Sequence, residues 1–321
     1  MGRPPAGVRR AAPGRAGKSR SSGGAHRRGP GRRWLRPWLL PAQAVTVLAA
    51  ITALIVMPQS EARLAKSDVR VTAGEHGVVQ HLQVRGPSDH QIHDVWVWRP
   101  PGRDSALIPV LYVLHGLPGS AGDPFQYGLA KILDARLRSG AAPFVVASPD
   151  GNGEHYGDSE WANSADGSDE VESRLMDTVI PAVEGSHLRD GAHRAVAGFS
   201  MGGYGAMNMA LRHPRLFGQV VSIAGYFHPD DESGVFGGDS HLLTANSPDH
   251  HVQNARGKHI LLCEDSSDSY PLIQGQAASF YKQLAAAHIP VTLRITPGQH
   301  DWYYAIGALA GSFDFLSDGW R

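Results

Sequence analysis

From residue 78 onward the chain alternates short apolar runs with longer amphipathic ones. Residues 78–84 (VVQHLQV) and 94–99 (DVWVWR) switch between apolar and polar positions as half-buried strands do, with Gly86, Pro87 and Ser88 marking a turn between them. They read as an antiparallel pair at a sheet edge. Residues 109–115 (PVLYVLH) and 143–149 (PFVVASP) are nearly continuous apolar runs, the pattern of parallel strands buried on both faces. Further strands are expected at 195–198, 219–224, 258–263 and 291–296, and helices at 127–138, 170–184, from 201 onward, 271–288 and 302–316. Strands that alternate with helices predict an α/β domain, a mostly parallel central sheet with helices on both faces. No internal repeat is present.

Ligands of such sheets gather at the carboxyl ends of the strands. The polar stretches fall there: His115-Gly116-Leu117, residues 150–168, Ser200, Glu264 to Asp268, and His300 each follow an expected strand. Residues 150–168 are too polar and Gly-rich for a regular element yet carry Tyr156 and Trp161, and a loop this long in a compact domain is usually functional. With residues 228–255, a second irregular stretch, it is expected to shape the substrate pocket.

The first 57 residues follow a different pattern. Residues 1–37 hold eleven Arg or Lys, no Asp or Glu, and almost nothing apolar before Trp34, so they are expected to be a disordered basic tail. Residues 38–57 carry no charge and, as a helix, are long enough to cross a bilayer. The basic flank then marks the cytoplasmic side, which would place everything after about residue 60 outside the cytoplasm. Small residues around Ser60 and Ala62 leave both an uncleaved signal anchor and a cleaved signal open. A linker over 58–77 and one domain over 78–321 complete the expected organisation.

The formal net charge of zero conceals an asymmetry, because removing the tail's eleven positive charges leaves 19 basic against 30 acidic residues. An acidic body argues against nucleic acid as a partner. The single cysteine, Cys263, excludes an internal disulfide, so the domain must be held by its core.

Residues 194–213 (RAVAGFSMGGYGAMNMALRH) read as a short strand, a turn whose tip is Ser200, and a helix beginning near Met201. Glycines at 198, 202, 203 and 205 permit a sharp strand-to-helix turn that presents the serine hydroxyl. A Gly-x-Ser-x-Gly arises readily by chance in a chain with 38 Gly, so its weight comes from this strand–turn–helix context. A serine nucleophile needs a base, and among 17 histidines His300 stands out, directly after the last strand and before the closing helix. The orienting carboxylate should follow the strand ending at Cys263, where Glu264, Asp265 and Asp268 all qualify. Asp268 is preferred, with Asp265 the alternative acid. The amides of Leu117 and Met201 are the candidate oxyanion donors. This chemistry requires no cofactor, and without a His-Glu-x-x-His motif no metal is expected.

The motifs LHGLPGS at 114–120, DSEWANS at 158–164, GFSMGGYGAMNMALRHPRLF at 198–217 and PGQHDW at 297–302 together resemble the esterase D and mycolyltransferase (antigen 85) family of serine esterases. The resemblance covers about residue 78 to the end. It implies an α/β-hydrolase fold, Ser200 as nucleophile, His300 as base, Asp268 as acid and the Leu117 and Met201 amides as oxyanion hole. It also implies an ester or acyl-lipid substrate. The leading expectation is therefore an exported serine acyl hydrolase. Acyl transfer onto a sugar or lipid acceptor is the alternative, and a non-catalytic surface module that keeps the fold is the third.

Overall fold

The computed structural model describes residues 76–87, 91–102 and 108–321. The basic tail, the apolar segment 38–57 and residues 58–75 of the expected linker lie outside the described residues. Among the described residues no helix is long and apolar enough to cross a membrane.

Among the described residues eight strands form one sheet: β1 (Val78–Arg85), β2 (Ile92–Arg99), β3 (Val110–Leu114), β4 (Val145–Pro149), β5 (Arg194–Phe199), β6 (Gln219–Ile223), β7 (His259–Asp265) and β8 (Thr292–Thr296). Their spatial order is β1-β2-β4-β3-β5-β6-β7-β8. The first two strands are the antiparallel edge the alternating pattern predicts, and β2 also runs antiparallel to β4. Every other pairing is parallel.

Connections between parallel strands must cross over the sheet, and they do so mainly as helices. In chain order the α-helices are α1 (Asp123–Gln126), α2 (Leu129–Arg138), α3 (Val171–Arg174), α4 (Ile180–Glu184), α5 (Met201–Arg212), α6 (Ser240–Ala245) and α7 (Gln276–Ala286), and after the last strand α8 (Trp302–Gly311) and α9 (Phe313–Gly319). Side chains alternate across a strand, so β3 feeds two cores. Val110, Tyr112 and Leu114 join α5 and α7 on one face, whereas Leu111 and Val113 meet α2, α8 and α9 on the other. That is why the run at 109–115 is apolar without alternation.

Three element boundaries depart from the expected pattern. The helix at 170–184 contains a π-helical turn, Leu175–Val179, directly before Pro181. Proline has no N–H to close an α-helical hydrogen bond, and a wider turn accommodates the loss. The closing helix divides at Ser312 into α8 and α9. β7 runs two residues past Cys263, so Glu264 and Asp265 pair with Ile295 and Thr296 instead of starting a loop.

Below the sheet, the carboxylate of Glu184 at the end of α4 accepts hydrogen bonds from Arg194 Nε and Nη2, both at 2.8 Å, and from the Tyr112 hydroxyl at 3.0 Å. All three side chains are buried. This network ties the middle of β3 and the amino end of β5 to the crossover, at the opposite end of β5 from Ser200.

Candidate active site

Strand β5 ends at Phe199 and α5 starts at Met201, leaving Ser200 alone in the turn with φ 57° and ψ −121°. A non-glycine residue rarely adopts this backbone, and it persists only where the surroundings impose it. Here the Ser200 N–H donates to Ile223 O at 2.9 Å. A Cβ on Gly198 would lie 2.0 Å from Gly202 O, and one on Gly202 would lie 2.2 Å from Leu114 O. Strand, turn and helix are therefore closer together than any side chain at those two positions permits.

His300, between β8 and α8, reaches this serine from one hundred residues away. The Ser200 hydroxyl lies 2.9 Å from His300 Nε2, and His300 Nδ1 lies 2.8 Å from Asp268 Oδ2. A carboxylate only accepts, so Nδ1 carries the proton, and Nε2 is left to accept from the serine. Asp268 is almost fully buried, and its Oδ1 accepts the Tyr270 N–H at 2.9 Å, which fixes the carboxylate. The imidazole is 28 % exposed and lies against Phe199 and Tyr270, with ring centroids 4.7 and 6.1 Å away.

The competing carboxylates are occupied elsewhere. Asp265 Oδ1 accepts from Ser267 N at 2.8 Å, and Glu264 Oε1 accepts from Gly275 N at 2.7 Å. Neither touches His300, because the extra residues of β7 hold both within or beside the sheet. Asp268 alone of the three stands in the loop.

A cavity of about 140 Å³ opens over Ser200 and His300. Leu117 and Met201, the expected oxyanion donors, both line it. Gly116 approaches the serine closely, since a Cβ there would lie 3.1 Å from Ser200 Cβ. Larger concavities exist, such as a groove of about 760 Å³ beside β8, but they contain no paired nucleophile and base. Size does not mark the site here.

The cavity wall also holds residues that were not singled out by sequence. Glu160, in the loop after β4, is 3 % exposed and accepts a short hydrogen bond from the Tyr226 hydroxyl. Burial, and after it the charge of Asp158, push its carboxyl up to about 8. Burial also raises Asp158, helped by Asp230, and raises the Tyr226 phenol well above its usual range. Glu160 and Trp161 both have φ near 51°, so this part of the loop is held in an unusual backbone. The signal available in sequence was the pairing of Glu160 with an aromatic anchor, Trp161, inside an otherwise polar loop.

That loop is ordered by Asp169, whose buried carboxylate accepts the N–H groups of Glu154, His155 and Tyr156 at 2.8–2.9 Å. His115 is buried and structural, accepting the Gly151 N–H on Nε2 at 2.8 Å. Cys263 is buried, which raises its thiol to about 11 and leaves it a poor nucleophile. Among the described residues His228, Asp249 and His250 bring three potential metal-ligand atoms within 4.8 Å of one another. None of them lines the Ser200 cavity, and His251 is turned away toward Ala245 O.

Residues 92–314 match the model of the Esterase family. Esterase MT1326 of Mycobacterium tuberculosis is 27 % identical over 238 residues, covering 63 % of this chain and 50 % of that protein. The chain thus spans about half the length of this curated relative. Among solved structures, a ferulic acid esterase superposes with a TM-score of 0.67 at 21 % identity, covering 76 % of this chain and 99 % of that one. MPT51 (FbpC1) of Mycobacterium tuberculosis superposes with a TM-score of 0.58 at 21 % identity, again over 76 % of this chain and 99 % of its own. At these identities the structures establish the fold, and both the fold and the family agree with the resemblance carried by the four motifs.

Proposed function

The chain belongs to the Esterase family, and from that premise we propose that it is a carboxylesterase-type enzyme that hydrolyses small carboxylic esters through an acyl-enzyme on Ser200. The supporting observation is the continuous relay from Ser200 Oγ through His300 to Asp268, at 2.9 and 2.8 Å. In this reading Ser200 Oγ attacks the ester carbonyl carbon while its proton passes to His300 Nε2. Asp268 stabilises the resulting imidazolium through Nδ1–H. The oxygen of the tetrahedral intermediate meets the amides of Leu117 and Met201. Collapse breaks the bond to the alcohol oxygen, which leaves with the proton from His300. Water then repeats the sequence against the acyl-enzyme and releases the acid.

The cavity of about 140 Å³ favours a small acyl group, since a hole of similar volume holds one benzene ring. A long lipid chain would extend out of this open cleft with most of its length uncovered by it, so hydrolysis is read ahead of transfer of acyl chains to a sugar or lipid acceptor. We place the reaction outside the cytoplasm on the pattern of residues 1–57, a basic flank followed by an uncharged apolar run.

A fluorophosphonate probe should label the wild-type protein and not Ser200→Ala, and 4-nitrophenyl acetate should be hydrolysed only by the former. Folded wild type that takes no label overturns the proposal. For the location, an alkaline phosphatase fusion after residue 60 should be active; an inactive fusion would put the domain in the cytoplasm.

A further inference from the structure

The cavity over Ser200 has a one-sided charge distribution. Its wall contains four carboxyl groups, Asp158, Glu160, Asp230 and Glu232, and no lysine or arginine. Exposure falls from the exposed Asp230 and Glu232 through the half-buried Asp158 to Glu160, so the acidic surface continues from solvent to the depth of the cleft. The phenol rings of Tyr226 and Tyr270 lie in the same wall.

Glu160 also presents an acceptor to the cleft. Tyr226 donates to its Oε2, but among the described residues Oε1 has no hydrogen-bond partner, although the side chain is almost fully buried and faces the cavity. Oε1 stays open to the cleft, where water or a donor on the ligand can answer it.

We propose that this cleft selects esters carrying a positively charged nitrogen close to the ester carbonyl, with Glu160 and Asp158 as the residues that receive the cation. The inference rests on the reading of Ser200 as the nucleophile. A cleft lined by charges of one sign with low-dielectric walls concentrates ligands of the opposite sign. The carboxylates of Asp158, Asp230 and Glu232 draw an ammonium group in, and on reaching Glu160 it takes the place of the proton that this carboxyl holds below about 8. Quaternary nitrogen, which donates no hydrogen bond, still gains from the faces of Tyr226 and Tyr270. A trimethylammonium group also suits a space of about 140 Å³. Esters with an anionic acyl group or a phosphate meet the opposite field and are rejected. The shifts at Asp158 and Glu160 agree, since every charge that perturbs either of them is another carboxylate.

The experiment compares isosteric esters that differ only in charge. Acetylcholine is paired with 3,3-dimethylbutyl acetate, and methyl betaine with methyl 3,3-dimethylbutanoate, so the cation is offered on either side of the ester. Monomethyl succinate provides the anion. In at least one pair kcat/KM should favour the cationic member by about tenfold or more, and the ratio should fall as salt is raised, because screening weakens the attraction. The succinate ester should be the poorest substrate. In Asp158→Asn and Glu232→Gln the cationic-to-neutral ratio should drop, with circular dichroism confirming the fold. Should either variant fail to fold, the salt dependence of the wild-type ratio still decides. Ratios of one or less in both pairs overturn the inference, as does a sugar acetate that outcompetes every cationic ester. Hydrolysis of the neutral esters with a ratio of one refutes the cation preference alone. Absence of turnover and of Ser200 labelling refutes the hydrolase reading beneath it.

Discussion

The indole N–H of Trp161 donates to the main-chain oxygen of His115 at 3.0 Å, which fastens the loop after β4 to the end of β3, two residues before Leu117. The ring has no solvent exposure and stands edge-on to the His115 imidazole at 5.1 Å. Gly151 and Gly205 close on it from the loop and from α5, each with room for no side chain of its own. One aromatic residue thereby sets the spacing among the loop, the nucleophile's helix and the oxyanion segment.

Trp161→Phe should remove the hydrogen bond, leave the His115 carbonyl buried without it, and open a small void. The combined cost is about 2–4 kcal/mol. Urea unfolding measures it. Because Leu117 lies only two residues beyond His115, kcat should fall while KM changes less. An unaltered kcat in a destabilised variant would show that Trp161 supports the fold without positioning the oxyanion donors.

The acid can be identified by substitution. Asp268→Asn removes the acceptor that holds His300 in its tautomer and should lower kcat by about 10³–10⁴-fold. Asp265→Asn should leave kcat within about threefold, because the Asp265 carboxylate accepts from the Ser267 amide and lies off the relay. Steady-state hydrolysis of a neutral ester by the two variants gives the comparison, and the reverse order would transfer the role to Asp265.

How much of this site was legible in the chain depends on how local each determinant is. The turn at Ser200 is specified by its own neighbours, since glycines at 198 and 202 are needed for contacts within a few residues and with the adjacent strand. His300 could be picked out because the last strand delivers it to the same sheet edge. Asp265 and Asp268 could not be separated so cleanly, because β7 continues past Cys263 only by pairing with β8, a partner distant in sequence. Glu160 was harder still. Its burial depends on Tyr226, 66 residues away, and within the DSEWANS stretch only the neighbouring Trp161 sets it apart from a solvated loop charge. The antiparallel edge and the parallel core were readable from the apolar pattern alone. The π-helical turn was not, although Pro181 supplied the physical reason for it.

Glu184 offers a test at the opposite end of the sheet. Its side chain has no exposure, and Arg194 beside it is only 4 % exposed. Glu184→Ala would leave that guanidinium buried without its carboxylate, at a cost of about 3–5 kcal/mol. The midpoint of chemical unfolding should move accordingly. Turnover per folded molecule should stay within about twofold, because the network lies at the amino end of β5. A matching loss of kcat would reveal strain carried along β5 into the turn at Ser200.

Glu160 should give the stability of the protein a dependence on pH. Its folded carboxyl loses a proton at about 8, whereas a glutamate in the unfolded chain does so near 4.3. Between these values the folded state keeps a proton that the unfolded state has released. Stability therefore falls with rising pH through this window and levels off above about 8, by a total on the order of a few kcal/mol. This is opposite in sign to a salt-bridged carboxylate, whose contribution disappears as pH is lowered. Glu160→Gln cannot ionise, so its disadvantage relative to wild type, greatest near pH 4 where the native hydrogen bond is intact and uncharged, should shrink and then reverse toward pH 8. Urea titrations of both proteins at intervals across that range measure the difference directly. A difference that does not vary with pH would mean that Glu160 ionises in the folded protein as an ordinary glutamate, and that the wall beside Ser200 carries its full complement of negative charge throughout.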